Sequence, residues 1–90
     1  MAYYFAELHD GPHKSVMVPV HSIIMARKMA MKNIKQNPTA RQTVIIYKGL
    51  YKVDLVESID YDKGRFYSSS WTKCRIINKD GTLGREVRYG

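Results

Sequence analysis

The sequence predicts an α+β fold, β-β-α followed by an antiparallel β meander, with one helix packed on a sheet of about five to six strands. Three features carry that expectation. Apolar residues alternate with a period of two over Ser15 to Val20, and a helical period takes over from Ile23. Beyond Asn37-Pro38 the chain returns to short β-prone runs separated by turn residues.

Tyr3 to Leu8 is aromatic and apolar and reads as the first strand. His9-Asp10-Gly11-Pro12 is a turn cluster, because glycine supplies positive φ and proline fixes it. Val16, Val18 and Val20 then mark the second strand, and the two strands form a hairpin. Ser22 is a suitable N-cap, since its hydroxyl can accept from the first free backbone N–H groups. Ile23, Ala26, Ala30 and Ile34 fall on one stripe at about 3.6 residues per turn, and Lys28, Lys32 and Lys35 on another. The helix is expected over about 22–36. Asn37-Pro38 ends it, because a residue before proline is pushed out of the α region.

Thr43 to Tyr47 is strongly β-prone, Lys48-Gly49 is a tight turn, and Leu50 to Ile59 reads as a longer strand. Asp60 to Gly64 is read as the next turn, followed by strands over Arg65 to Ser70 and Thr72 to Ile77. Asn78-Lys79-Asp80-Gly81 is a hairpin turn, and Thr82 to Tyr89 returns as the last strand. Ser68-Ser69-Ser70 is read as a bulge or an irregular crossing. The strand order in the sheet does not follow from these spacings.

A chain of 90 residues makes one domain over residues 1–90. With 44% hydrophobic and 26% charged residues it has the composition of a globular domain, not of a disordered tail. Its single cysteine, Cys74, excludes an internal disulfide framework. The N-terminal stretch lacks the pattern of a signal peptide, and no apolar run approaches the ~18 residues of a membrane span. The expectation is a soluble cytoplasmic protein with no membrane partner.

Charge is the most distinctive feature. The net charge is +7 and the pI about 9.7, which favours anionic partners. No acidic residue occurs between Asp10 and Asp54, an interval holding Lys14, Arg27, Lys28, Lys32, Lys35, Arg41, Lys48 and Lys52. The acids Asp54, Glu57, Asp60 and Asp62 then come together with no base among them. Lys28, Lys32 and Lys35, extended by Arg41 and flanked by Arg27 and Lys14, are therefore the candidate contacts for a phosphate backbone or an acidic protein. The plain alternative is a solvated helix face, and an acidic cluster folded against the basic face would neutralise it.

The aromatic residues Tyr3, Tyr4, Phe5, Tyr47, Tyr51, Tyr61, Phe66, Tyr67, Trp71 and Tyr89 are either stacking partners for single-stranded bases or β-formers that fill a small core or anchor a protein interface. Met25 and Met29, four apart on the helix, point to a second class of function: a protein-interaction surface of an inhibitor, adaptor or homo-oligomer. Met17 and Met31 extend that candidate surface, with gap-filling in a small core the plainer reading for Met31. His9, His13 and His21 lack the cysteine or histidine spacing of a zinc site, so no metal and no cofactor is expected. Asp60 and Asp62 lack the ligand series of a calcium loop. No nucleophile elbow, Cys-His pair or glycine-rich phosphate loop is present, so no catalytic residue is assigned and a non-enzymatic role is expected.

The string Arg75 to Arg85 (Arg-Ile-Ile-Asn-Lys-Asp-Gly-Thr-Leu-Gly-Arg) and the β-β-α opening resemble short uncharacterised proteins of bacteriophages and prophages. The resemblance covers the hairpin and the first half of the chain. It implies roles in nucleic-acid handling, regulation or inhibition of a host protein, and it carries over no functional residue.

Overall fold

The structure, a computed structural model, describes residues 4–10, 14–37, 44–48, 54–70 and 73–88. Among these residues the order is β1 (Tyr4–His9), β2 (Ser15–Val20), α1 (Ile23–Gln36), β3 (Val44–Lys48), β4 (Asp54–Asp62), β5 (Arg65–Ser70), β6 (Lys73–Ile77) and β7 (Leu83–Val87). This is the α+β arrangement expected, with seven strands rather than five to six in one antiparallel sheet of order β2-β1-β3-β4-β5-β6-β7. Arg41 and residues 50–53 of the expected long strand lie outside the described residues.

The order follows from the chain's connections. β1 and β2 form a hairpin in which Tyr4 faces Val20 and Leu8 faces Val16. The helix then carries the chain across β1, so β3 pairs with the free edge of β1, Ala6 opposite Ile46. From β3 onward each strand pairs with the next. Register shifts interrupt the β3–β4 pair between Ile46 and Tyr47 and the β6–β7 pair between Arg75 and Ile77. The serine run is not one of these places, for Ser68, Ser69 and Ser70 pair regularly with Arg75, Cys74 and Lys73.

Ser22 caps the helix as expected, its Oγ accepting from the Met25 N–H at 3.0 Å. At the other end the Asn37 N–H donates to the Ile34 carbonyl, and Asn37 Nδ2 donates to the Asn33 carbonyl. Ala26, Ala30 and Ile34 are buried along the helix, and Met31 joins them as core filling. They meet Ala6, Val20, Ile46, Ile59, Phe66 and Ile77 from the sheet. Small side chains at Ala6, Ala26 and Ala30 let the helix backbone come close to β1, over which it chiefly lies. Asn33 fastens it there. Its Oδ1 accepts from the His9 N–H and its Nδ2 donates to the His9 carbonyl, both at 2.9 Å, in the manner of a ladder partner.

The β4–β5 turn differs from the sequence expectation. Strand pairing runs to Asp62 opposite Arg65, leaving only Lys63 and Gly64 as the loop, where a turn over Asp60 to Gly64 was expected. Both loop residues have positive φ, 50° and 81°. That is the sign pattern of a type I′ turn, whose twist matches the strands it joins.

Candidate nucleic-acid interface

The helix covers one face of the sheet unequally. Its contacts fall away from β1 to β3 and β4, so the face formed by β5 and β6 is left as one wall of a groove. The groove has a volume of about 690 Å³. The helix contributes Lys28, Met31, Lys32 and Lys35, the β4–β5 hairpin contributes Tyr61, Gly64, Arg65 and Phe66, and β6 with its turn contributes Ile76, Ile77 and Lys79. The floor is apolar, because Met31, Phe66 and Ile77 belong to the core. The rim carries five cations and no carboxylate is among the lining residues.

Helical phase explains the lysines. Positions 28, 32 and 35 fall within about 20–60° of one another at 100° per residue, and the buried stripe lies beside them. The lysines therefore stand exposed along the groove's helical edge. Lys35 Nζ lies 5.8 Å from the Phe66 ring centroid, within reach of a cation–π attraction. Phe66 in turn touches Tyr61, ring centroids 4.8 Å apart and planes inclined by 55°. The two face each other directly across the hairpin, and Tyr61 remains 49% exposed.

Arg27 does not belong to this surface. It is buried beneath the helix, where Nε donates to Glu57 Oε1 at 2.6 Å and an Nη donates to the Gly81 carbonyl at 3.1 Å. The second Glu57 oxygen, Oε2, accepts from the Ser68 hydroxyl. Glu57 and Ser68 are each 3% exposed and Arg27 is 8% exposed, so this ion pair is largely shielded from solvent. One member of the acidic cluster thus neutralises one member of the basic series inside the fold. Lys14 is exposed beside β2, the outer strand at the far end of the sheet from β5 and β6, and it is also no part of the groove. Met25 is 52% exposed, while Met29 is half-buried and packs against the core.

The β6–β7 turn carries Lys79 and is closed by its own hydrogen bonds. Asp80 Oδ1 accepts from both the Thr82 hydroxyl and the Thr82 N–H, at 2.6 and 3.0 Å. These two bonds, led by the hydroxyl, hold the Asp80 carboxyl below the ordinary aspartate range, and the charge of Lys28 adds to the effect. Gly81, at φ 87°, sits against the start of the helix, where an added Cβ would lie 2.8 Å from the Ile24 carbonyl oxygen.

Arg65, Lys79, Tyr61 and Phe66 were not among the residues singled out as one site from sequence. The signal lay in the turn. Once Lys63-Gly64 is taken as a two-residue loop, Tyr61 and Phe66 become a cross-strand pair and Arg65 comes to the hairpin tip. No protein-family model, no curated protein and no solved structure matches this chain. Among the described residues no helix is long and apolar enough to cross a membrane.

Proposed function

We propose that this protein is a non-enzymatic nucleic-acid-binding protein, and that the groove between α1 and the β4–β5 hairpin holds the phosphate backbone. One observation carries the reading: Lys28, Lys32, Lys35, Arg65 and Lys79 ring a single concavity that no carboxylate lines. A concave, low-dielectric wall with charges of one sign focuses potential outward and raises the local concentration of a polyanion. Each neutralised phosphate releases condensed counterions, which makes such binding tight at low salt and weak at high salt. The acid-free stretch of sequence supports the same reading, with Arg27 and Lys14 removed from the contact set and Arg65 and Lys79 added. The phage-protein resemblance fits a role in nucleic-acid handling.

The test is a titration of labelled oligonucleotides by anisotropy, comparing the natural protein with the triple variant Lys28→Gln, Lys32→Gln, Lys35→Gln. The three lysines are exposed, so the variant is expected to keep its fold. Affinity at low salt should fall by about a hundredfold or more, because several phosphate contacts are lost together. An unchanged affinity, with the fold intact, rejects the groove as the site.

A further inference from the structure

We infer that the groove selects single-stranded nucleic acid, with a base stacked on the exposed ring of Tyr61. This rests on the nucleic-acid reading and goes further, because it follows from the apolar half of the groove and not from its charges. The groove is a basic rim around a floor of Met31, Phe66 and Ile77, with Tyr61 at its edge. A duplex turns the faces of its bases inward and presents phosphates and base edges. It would meet the lysines and leave the apolar floor and Tyr61 without a partner. A single strand presents both kinds of surface, a charged backbone and base faces that stack on aromatic rings without regard to sequence.

The geometry of Tyr61 suits that task. The residue is 49% exposed, yet its ring is not loose, for it rests on the buried ring of Phe66 at 4.8 Å between centroids. Phe66 is itself 8% exposed and lies beneath Lys35. The platform is therefore held from below by the core and from the side by the strand pairing of Tyr61 with Phe66. A ring already ordered loses little entropy when a base settles on it. Lys35, Arg65 and the other helix lysines line the same groove as the platform, and Lys35 Nζ lies 5.8 Å from the Phe66 ring centroid. The turn that brings Tyr61 and Phe66 opposite each other has two residues and positive φ at both, so the hairpin presenting the ring is tight.

The experiment compares four probes of equal length by anisotropy: a single-stranded DNA, the matching single-stranded RNA, a duplex, and an abasic single strand that keeps the phosphates. Each is titrated with the natural protein, Tyr61→Ala and Tyr61→Phe, with folding checked by thermal melting. The expected result is tighter binding of both single strands than of the duplex or the abasic strand. Tyr61→Ala should weaken single-strand binding by about five- to a hundredfold, the range measured for loss of one stacked base, and leave the duplex unaffected. Tyr61→Phe should restore it. A difference between DNA and RNA names the natural strand and supports the inference equally. Duplex binding as tight as single-strand binding, or an undiminished affinity in Tyr61→Ala, overturns the inference. If that binding still depends on the groove lysines, the proposed function stands without it. No binding of any probe at low salt overturns both, and an acidic protein then becomes the partner to seek.

Discussion

Arg27 and Lys28 are neighbours in the chain and end in opposite environments. Arg27 lies under the helix, its guanidinium divided between Glu57 and the Gly81 carbonyl. Lys28, one helical step of about 100° further round, stands exposed on the groove. The same charge on the same helix is thus structural at one position and available at the next. A run of basic residues counts toward a binding surface only after helical phase has divided it. The acids divide likewise: Glu57 goes inside to meet Arg27, while Asp80 is held in a turn by Thr82.

The sharpest way to break this division is to remove Glu57. Glu57→Ala would leave Arg27 buried without its counter-charge, and a loss of about 3–5 kcal/mol is expected by denaturant titration. Replacing the group together with apolar side chains, Arg27→Met with Glu57→Leu and Ser68→Ala, should recover most of that loss. Nucleic-acid affinity of the folded apolar variant should stay unchanged, in contrast to the lysine variant. A fall in affinity there would mean that Arg27 acts at the surface after all.

The two hairpin turns sharpen the comparison at the next level. Gly81→Ala carries both an unfavourable φ and a collision with the Ile24 carbonyl. Gly64→Ala, at φ 81°, meets nothing within 4 Å. Melting should report a cost of about 1–2 kcal/mol at Gly64, from the left-handed backbone alone, and a larger one at Gly81, where the helix start must also move. Equal costs would mean that the β6–β7 turn does not press on the helix.

Asn33→Ala removes the two bonds that tie the helix to the end of β1, and roughly 1–3 kcal/mol should be lost. The smallest effect concerns Asp80. Its folded value lies below the ordinary one, so its contribution is present above the unfolded value and disappears as pH falls through the folded value. The protection factor of the Thr82 amide, its exchange measured against the intrinsic rate at each pH, should therefore fall at acid pH in the natural protein. In Asp80→Asn that pH dependence should be absent.

Most of the architecture was legible because local signals agreed. The period change at Ser22-Ile23, the Ser22 cap and the Asn78 to Gly81 turn all stand where the sequence puts them. The order β2-β1-β3 was not legible, since nothing in the spacing says that the helix carries the chain past β1. Of the candidate site, Lys28, Lys32 and Lys35 come together on the groove, because they share one side of a helix. Arg27 was misplaced because its partner is 30 residues away. Arg65 and Lys79 carry no sequence signal for the site, and Tyr61 and Phe66 stand out only as two of many aromatics, for the same reason: their meeting with the lysines is tertiary, and only strand register brings it about.

The measurement closest to the central claim is the salt dependence of single-strand binding, for the natural protein and for Lys28→Gln, Lys32→Gln, Lys35→Gln. Five groove cations acting on phosphates predict a slope of log affinity against log salt of about −3.5, reduced in magnitude by about 2 in the variant. Binding whose slope is near zero, or equal in the two proteins, would contradict the account and separate the basic groove from the function of the protein.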